Sequence, residues 1–152
     1  MPSKFTIAPL ALAALLCALG TPFAALAQEQ TVKIGVTGPL SGANAFAGKD
    51  NENGVRLAIE ELNTKKIKVG GKQLRFELQS EDDAGDPKQG VTVAQKLVDG
   101  GVKFVLGPYN SGVAIPASRV YNDAGALMST VGTNPKITQG GYKGVFRIVA
   151  SD

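Results

Sequence analysis

Hydrophobic and polar positions along the chain follow two periods, one of two residues and one of three to four. The two-residue period occurs in segments 32–36 and 74–79, and it predicts two strands. A nearly continuous apolar run at 102–106 predicts a strand that is buried on both faces. Two shorter apolar segments, 126–128 and 145–149, complete a set of five predicted strands.

Between these strands, apolar residues recur at helical spacing in three segments. Their apolar stripes comprise Val55, Ala58, Ile59 and Leu62, then Val91, Ala94, Leu97 and Val98, and finally Ala114, Ala117, Val120 and Tyr121. The second helix is predicted to begin at Asp86-Pro87, because Asp is a good N-cap and Pro fits the first helical position. It is predicted to end at Gly100. Ser111 is placed to cap the third helix.

This alternation predicts an α/β fold with a doubly wound, mainly parallel sheet and helices on both faces. The second strand is polar at every other position, so it belongs at an edge of the sheet. The flavodoxin-like strand order 2-1-3-4-5 places it there. A helix normally covers the last strand of such a domain, and here the sequence ends at Asp152. We therefore expect the domain to be incomplete.

Residues 1–27 have the three parts of a cleavable secretory signal. Lys4 is the only charge before Glu29, an apolar core spans 10–19, and Ala25-Leu26-Ala27 forms an A-x-A cleavage site. An uncleaved N-terminal anchor is the alternative, because this stretch is long enough to span a bilayer. The small residues at its end favour cleavage. We expect a mature chain of residues 28–152 in the periplasm.

Composition excludes several classes of chemistry. The 152 residues carry a net charge of +3, one Cys and no His. The absence of His removes Ser-His-Asp triads and His metal sites, and one Cys cannot form a zinc ribbon or an internal disulfide. The small charge gives no reason to expect a nucleic-acid partner. No phosphate-binding loop or nucleophile elbow is present. We therefore expect no enzyme activity, no cofactor and no metal.

Three loops rich in Gly and hydroxyl groups follow predicted strands, at 38–42, 107–112 and 130–134. Ligands of doubly wound sheets bind at the C-terminal ends of the strands. Free N–H groups and hydroxyls converging there would suit an anion such as a carboxylate. The alternative is that these loops are only tight turns. Phe46, predicted in the loop after Ser41, is either a staple on the next helix or an aromatic wall for a ligand.

Six segments, in this order and spacing, carry a resemblance to a known family. They are VKIGVTGPLSG (32–42), GVRLAIEELN (54–63), DDAGDPKQ (82–89), VKFVLGPYNS (102–111), PAS (116–118) and GTNP (132–135). Together they resemble the periplasmic branched-chain amino-acid binding proteins, which are the soluble receptors of ABC importers. The likeness runs from about Val32 to Asp152.

The resemblance implies that this chain is the N-terminal lobe of a two-lobed type I periplasmic binding protein. Such a protein is expected to be a monomer and to deliver a Leu/Ile/Val-like amino acid to a membrane permease. In the family, positions matching Ser111, Gly132 and Thr133 bind the α-carboxylate and α-ammonium, and an aromatic near Phe46 lines the pocket. Some relatives have a disulfide between loops that Gly85 and Asn110 represent here.

The resemblance also implies a second lobe. That lobe would supply an acidic partner for the ligand's ammonium and aromatic residues for its side chain. Residues 28–152 alone should therefore bind an amino acid weakly.

The sequence also allows three alternative functions. One alternative is a ligand-sensing module, and another is a non-functional truncated remnant. A third is an enzyme on a flavodoxin-like sheet, dependent on a flavin or nucleotide, with Ser111 as its only plausible nucleophile.

Overall fold

The computed structural model describes residues 29–152. The predicted signal at 1–27 lies outside them. The helices are α1 (Ala45–Thr64), α2 (Pro87–Asp99), α3 (Ser111–Asp123) and α4 (Lys136–Gln139). The strands are β1 (Glu29–Gly38), β2 (Lys68–Val69), β3 (Lys72–Asp82), β4 (Phe104–Leu106), β5 (Leu127–Thr130) and β6 (Val145–Arg147). Within the described part of the chain, no helix is long and apolar enough to cross a bilayer.

The strands form one sheet in the order β2-β3-β1-β4-β5-β6. Every pairing from β3 to β6 is parallel. The five predicted strands are β1, β3, β4, β5 and β6, so the predicted order 2-1-3-4-5 is confirmed. Strand β2 was not predicted; it pairs antiparallel with Lys72 and Gln73 only. Most of β3 therefore lies at an open edge, as its half-polar pattern indicates.

One face of the sheet packs against α2 and α3 and holds the hydrophobic core. The core residues are Ala94, Leu97, Val102, Val105, Ala114, Ala117, Tyr121, Ala126, Met128, Ile137 and Val145. Gly35 of β1 lies under this layer, because a Cβ built on it would approach Val102, Leu97 and Val105 within 3.3 Å. The missing side chain lets α2 sit close to the central strand.

The opposite face is covered only in part. Helix α1 packs on β1 and β3, and it buries Val36 beneath it. Side chains alternate between faces along a strand, so the neighbours of Val105 on β4 point towards the α1 side. There Phe104, Leu127 and Phe146 are 45%, 43% and 51% exposed. Strands β4, β5 and β6 thus present an apolar surface that no described residue covers.

Two helix starts differ from the sequence prediction. Helix α1 begins at Ala45, so Phe46 lies in its first turn and the prediction that places it in a loop is wrong. The N-cap of α3 is Asn110, and Ser111 is the first helical residue, so the predicted cap at Ser111 is also wrong. The predicted cap of α2 is confirmed, because the Asp86 carboxylate accepts a hydrogen bond from the Gln89 N–H at 2.8 Å.

Helices α2 and α3 contact each other at Gly90 and Val113. A Cβ built on Gly90 would overlap the Cγ1 of Val113, and both residues are buried. The helices can approach this closely only because position 90 has no side chain. By contrast, Gly54 in α1 is exposed, and a Cβ built there would meet nothing within 4 Å.

We expect Gly90→Ala to lower the free energy of unfolding by about 2 kcal/mol, because the added methyl overpacks the α2–α3 contact. Gly54→Ala is the matched control in a helix interior and should raise that free energy by about 0.5–1 kcal/mol. Urea unfolding followed by circular dichroism measures both. Adding Val113→Ala to Gly90→Ala should recover part of the loss. Equal effects of the two glycine substitutions would contradict this packing.

Candidate ligand-binding site

The loops after β4 and β5 lie next to each other at the C-terminal edge of the sheet, and one hydroxyl joins them. The Thr130 hydroxyl donates to the Pro108 carbonyl of the first loop. Its oxygen accepts from the Gly132 N–H of the second loop at 2.9 Å. Thr130 is almost fully buried, so both hydrogen bonds are shielded from water.

The structure brings Ser111 and Gly132 together across these loops. A Cβ built on Gly132 would lie 3.2 Å from the Ser111 Oγ and 2.8 Å from the Ile137 Cδ1. The Ser111 Oγ accepts a hydrogen bond from the Asn134 N–H at 3.2 Å. That bond occupies an acceptor site of Ser111 and leaves its hydroxyl proton available to another group.

Thr133 follows Gly132 and is exposed. Its hydroxyl donates to the Asp152 carboxylate, with Oγ1 2.8 Å from Oδ2. The Asp152 N–H donates back to the Thr133 carbonyl at 3.2 Å, and Arg147 Nη1 lies 3.3 Å from the same carbonyl. Asp152 and Arg147 were not predicted as site residues. Neither belongs to a local motif, and only the parallel pairing of β5 with β6 brings them to Thr133.

Phe46 is the predicted site residue that the structure leaves apart in solvent. Phe46 is 76% exposed. That exposure does not fit a staple packed on the helix. The role of a pocket wall remains a prediction, in which the ring would contact a ligand from the first turn of α1.

The loop after β1 is fixed by Asp82 at the end of β3. Its Oδ1 accepts from the N–H groups of Leu40 at 2.8 Å, Ser41 at 3.3 Å and Ala84 at 2.8 Å. Partial burial of Asp82 favours a raised pKa, but the hydrogen bonds from Ser41, Ala84 and Leu40 outweigh it and lower the pKa below its usual value. Asp82 is therefore a loop anchor. Among residues 29–152, no group of three His, Cys, Asp or Glu side chains is placed to hold a metal ion.

Asp83, Thr37 and Tyr121 form a buried polar cluster beneath the loops, and the half-buried Asn110 lies next to Gly85 beside it. Each has a side-chain atom with no hydrogen-bond partner among the described residues, namely Asp83 Oδ2, Thr37 Oγ1, Tyr121 OH and Asn110 Oδ1. Burial raises the pKa of Asp83, opposed by a hydrogen bond from the Gly85 N–H and reinforced by the nearby charge of Asp82. Burial also raises the pKa of Tyr121, whereas the Thr37 side chain beside it lowers this pKa.

The same region contains the two loop positions that a disulfide would join in some relatives. A Cβ built on Gly85 would lie 3.4 Å from the Asn110 Oδ1. The two loops are therefore adjacent here without a covalent link. Gly85 has a φ of +70°, a backbone conformation that favours glycine.

The free polar groups at this edge include both donors and acceptors. Within residues 29–152, the backbone N–H groups of Ser111 and Gly112 donate to no acceptor, as is usual in the first turn of a helix. The carbonyl of Gly132 accepts no hydrogen bond from those residues. This edge can therefore offer donors to an anion from the α3 start and acceptors to a cation from the loop after β5.

Comparison with known proteins agrees with this architecture. Residues 31–152 match the periplasmic binding protein family, which is most of the chain. The chain belongs to this family. A periplasmic binding protein of this kind is a binding protein and not an enzyme, and the flavodoxin-like enzyme alternative is set aside.

Two relatives and one solved structure show the extent of the similarity. Leu/Ile/Val-binding protein homolog 2 of Brucella abortus is 43% identical over 142 residues, covering 90% of this chain and 36% of that protein. The leucine-, isoleucine-, valine-, threonine-, and alanine-binding protein of Pseudomonas aeruginosa is 45% identical over 123 residues, covering 80% and 32%. The substrate binding protein LivJ of Streptococcus pneumoniae, solved with isoleucine, aligns with a TM-score of 0.71 and 27% identity, covering 80% and 34%.

The chain spans about a third of the length of these relatives. The fold and the mainly parallel sheet are those of a type I periplasmic binding protein. The roles of individual site residues in this chain belong to the proposals below.

We expect Asp83→Asn to raise the free energy of unfolding by about 1 kcal/mol at pH 7, because it removes a charge from a buried polar site and keeps an acceptor for the Gly85 N–H. A carboxyl whose pKa is raised in the folded chain stabilises the fold at pH values below its unfolded pKa of about 4. This contribution is lost as the pH rises through the folded pKa. The gain should therefore shrink towards pH 4.

Urea unfolding at pH 4 to 8 measures this effect. Asp50→Asn, an exposed acid on α1, is the matched control and should change stability little at any of these pH values. A gain from Asp83→Asn that stays constant across this range would show that the charge of Asp83 is not its cause.

Proposed function

We propose that this chain forms the amino-acid-binding face of an extracytoplasmic solute receptor for an ABC importer. The observation that carries the proposal is the opposite hydrogen-bonding polarity of two hydroxyls, one at the start of α3 and one in the neighbouring loop after β5. Ser111 Oγ accepts from Asn134 and keeps a proton to donate, whereas Thr133 Oγ1 donates to Asp152 and keeps a lone pair to accept. An α-amino acid presents an anion and a cation on neighbouring atoms, which matches this pair.

The carboxylate of the ligand would lie at the start of α3. There it can accept hydrogen bonds from the Ser111 hydroxyl and from the free N–H groups of Ser111 and Gly112. Helix α3 has 13 residues, and the partial positive charge of its N-terminus favours an anion. Hydrogen bonds to an ionised group are stronger than those between neutral groups, so this contact would supply much of the affinity.

The ammonium of the ligand would lie against the loop after β5. The carbonyl of Gly132 and the Oγ1 of Thr133 are its acceptors. Glycine at 132 suits this role, because a side chain there would crowd Ser111 and Ile137.

A branched-chain side chain is the proposed specificity. The relatives named as Leu/Ile/Val-binding proteins and the LivJ complex with isoleucine support this assignment. Phe46, exposed on α1, would contribute an apolar wall. The receptor would act in the periplasm as a monomer and deliver its ligand to a membrane permease, with residues 1–27 as the secretion signal.

We expect residues 28–152 to bind leucine weakly, with a dissociation constant above the micromolar range, because this face holds a ligand from one side only. Titration with leucine up to tens of millimolar, followed by amide chemical shifts, should perturb Ser111, Gly112, Gly132 and Thr133. Ser111→Ala should weaken binding about tenfold, since it removes a donor to a charged group. Thr138→Ala, an exposed hydroxyl on α4, is the matched control and should leave binding unchanged.

Leucinamide, which lacks the carboxylate, should cause no saturable shifts at these amides. Shifts that leucine and leucinamide produce equally would contradict carboxylate binding at α3. An absence of shifts with leucine would contradict amino-acid binding by this face. Submicromolar binding would overturn the expectation of weak affinity.

A further inference from the structure

Asp152 determines the hydrogen-bond direction of a proposed ligand-binding residue from 19 positions away in the sequence. Its Oδ2 lies 2.8 Å from the Thr133 Oγ1. An ionised carboxylate can only accept hydrogen bonds, so the proton in this contact comes from Thr133. The oxygen of Thr133 is then left with lone pairs only.

The backbone around Thr133 is fixed from the same side. The Asp152 N–H and the Arg147 guanidinium both donate to the Thr133 carbonyl, at 3.2 and 3.3 Å. This carbonyl is therefore already engaged. Asp152 thus contacts Thr133 through both its side chain and its backbone, and its carboxylate directs the hydroxyl proton towards itself.

We propose that Asp152 is a positioning residue that makes the Thr133 hydroxyl an obligate acceptor for a ligand ammonium. This inference rests on the proposed function. Without Asp152, the Thr133 hydroxyl is free to rotate and can donate or accept. With Asp152, a ligand group that only accepts hydrogen bonds meets lone pairs at this position and a carboxylate behind them.

The consequence is selectivity against ligands that lack the ammonium. 4-Methyl-2-oxopentanoate has the carboxylate and the branched side chain of leucine, but a keto oxygen replaces the ammonium. Its keto oxygen can only accept, so it would face the Thr133 lone pairs without a donor. An unsatisfied polar group at a binding site disfavours the ligand that leaves it unpaired.

The test compares the two ligands in amide chemical-shift titrations of the whole chain. We expect Asp152→Ala to weaken leucine binding by about three- to tenfold, a range that allows for the exposure of the pair. It should leave oxo-acid binding unchanged or improved. The dissociation constant of the oxo acid divided by that of leucine should therefore fall. Asp152→Asn keeps an oxygen acceptor for Thr133 and should restore most of the ratio. Ser151→Ala is the neighbouring control.

The outcomes separate this inference from the proposed function. If the wild-type chain shows leucine-dependent shifts at Ser111 and Gly132 but Asp152→Ala leaves the ligand ratio unchanged, the positioning role is wrong and the proposed function stands. If Asp152→Ala weakens both ligands equally, Asp152 only supports the loop, and the inference is again wrong. If the wild-type chain shows no leucine-dependent shifts, the proposed function fails and the inference fails with it.

Discussion

The geometry of the binding edge depends on the buried hydroxyl of Thr130. It donates to Pro108 and accepts from Gly132, so a single side chain connects the loops after β4 and β5. The Asn134 N–H donates to the Ser111 Oγ across the same two loops at 3.2 Å, and this contact adds to the Thr130 connection. Because Thr130 is shielded from water, losing either bond would leave a buried polar group unsatisfied. Together these hydrogen bonds hold Ser111 beside Gly132 and so bring the proposed carboxylate and ammonium positions close to each other.

The layer beneath this edge is polar where a hydrophobic core would be expected. Asp83, Thr37 and Tyr121 are buried with unpartnered oxygens among the described residues. Such atoms weaken the fold in comparison with a fully paired interior. The loops at Gly85 and Asn110 are held by non-covalent contacts alone. The polar groups of the Thr130 connection are therefore paired, whereas those near Asp83 are paired only in part.

The hydrophobic pattern predicted the order of the five main strands because the half-polar second strand belongs at an edge, and the flavodoxin-like order places it there. It did not predict the start of α1 at Ala45, since residues 45–54 carry few apolar positions and gain their helical structure by continuing the packed turns that follow. Strand β2 was missed because two residues carry no periodicity. Ser111 was misassigned by one position, since Asn110 and Ser111 are both good capping residues and only the backbone of the folded loop distinguishes them.

The class of the fold and the family could be read from the sequence alone, because these depend on periodicity, turn residues and motif order. The family resemblance of its motifs also indicated Ser111, Gly132 and Thr133 as candidate ligand-binding residues. The direction of each hydrogen bond was decided only by the tertiary structure. Ser111 faces Asn134 and Thr133 faces Asp152 because parallel pairing places distant strand ends side by side. A hydroxyl can donate or accept, and which it does depends on neighbours that local sequence does not specify.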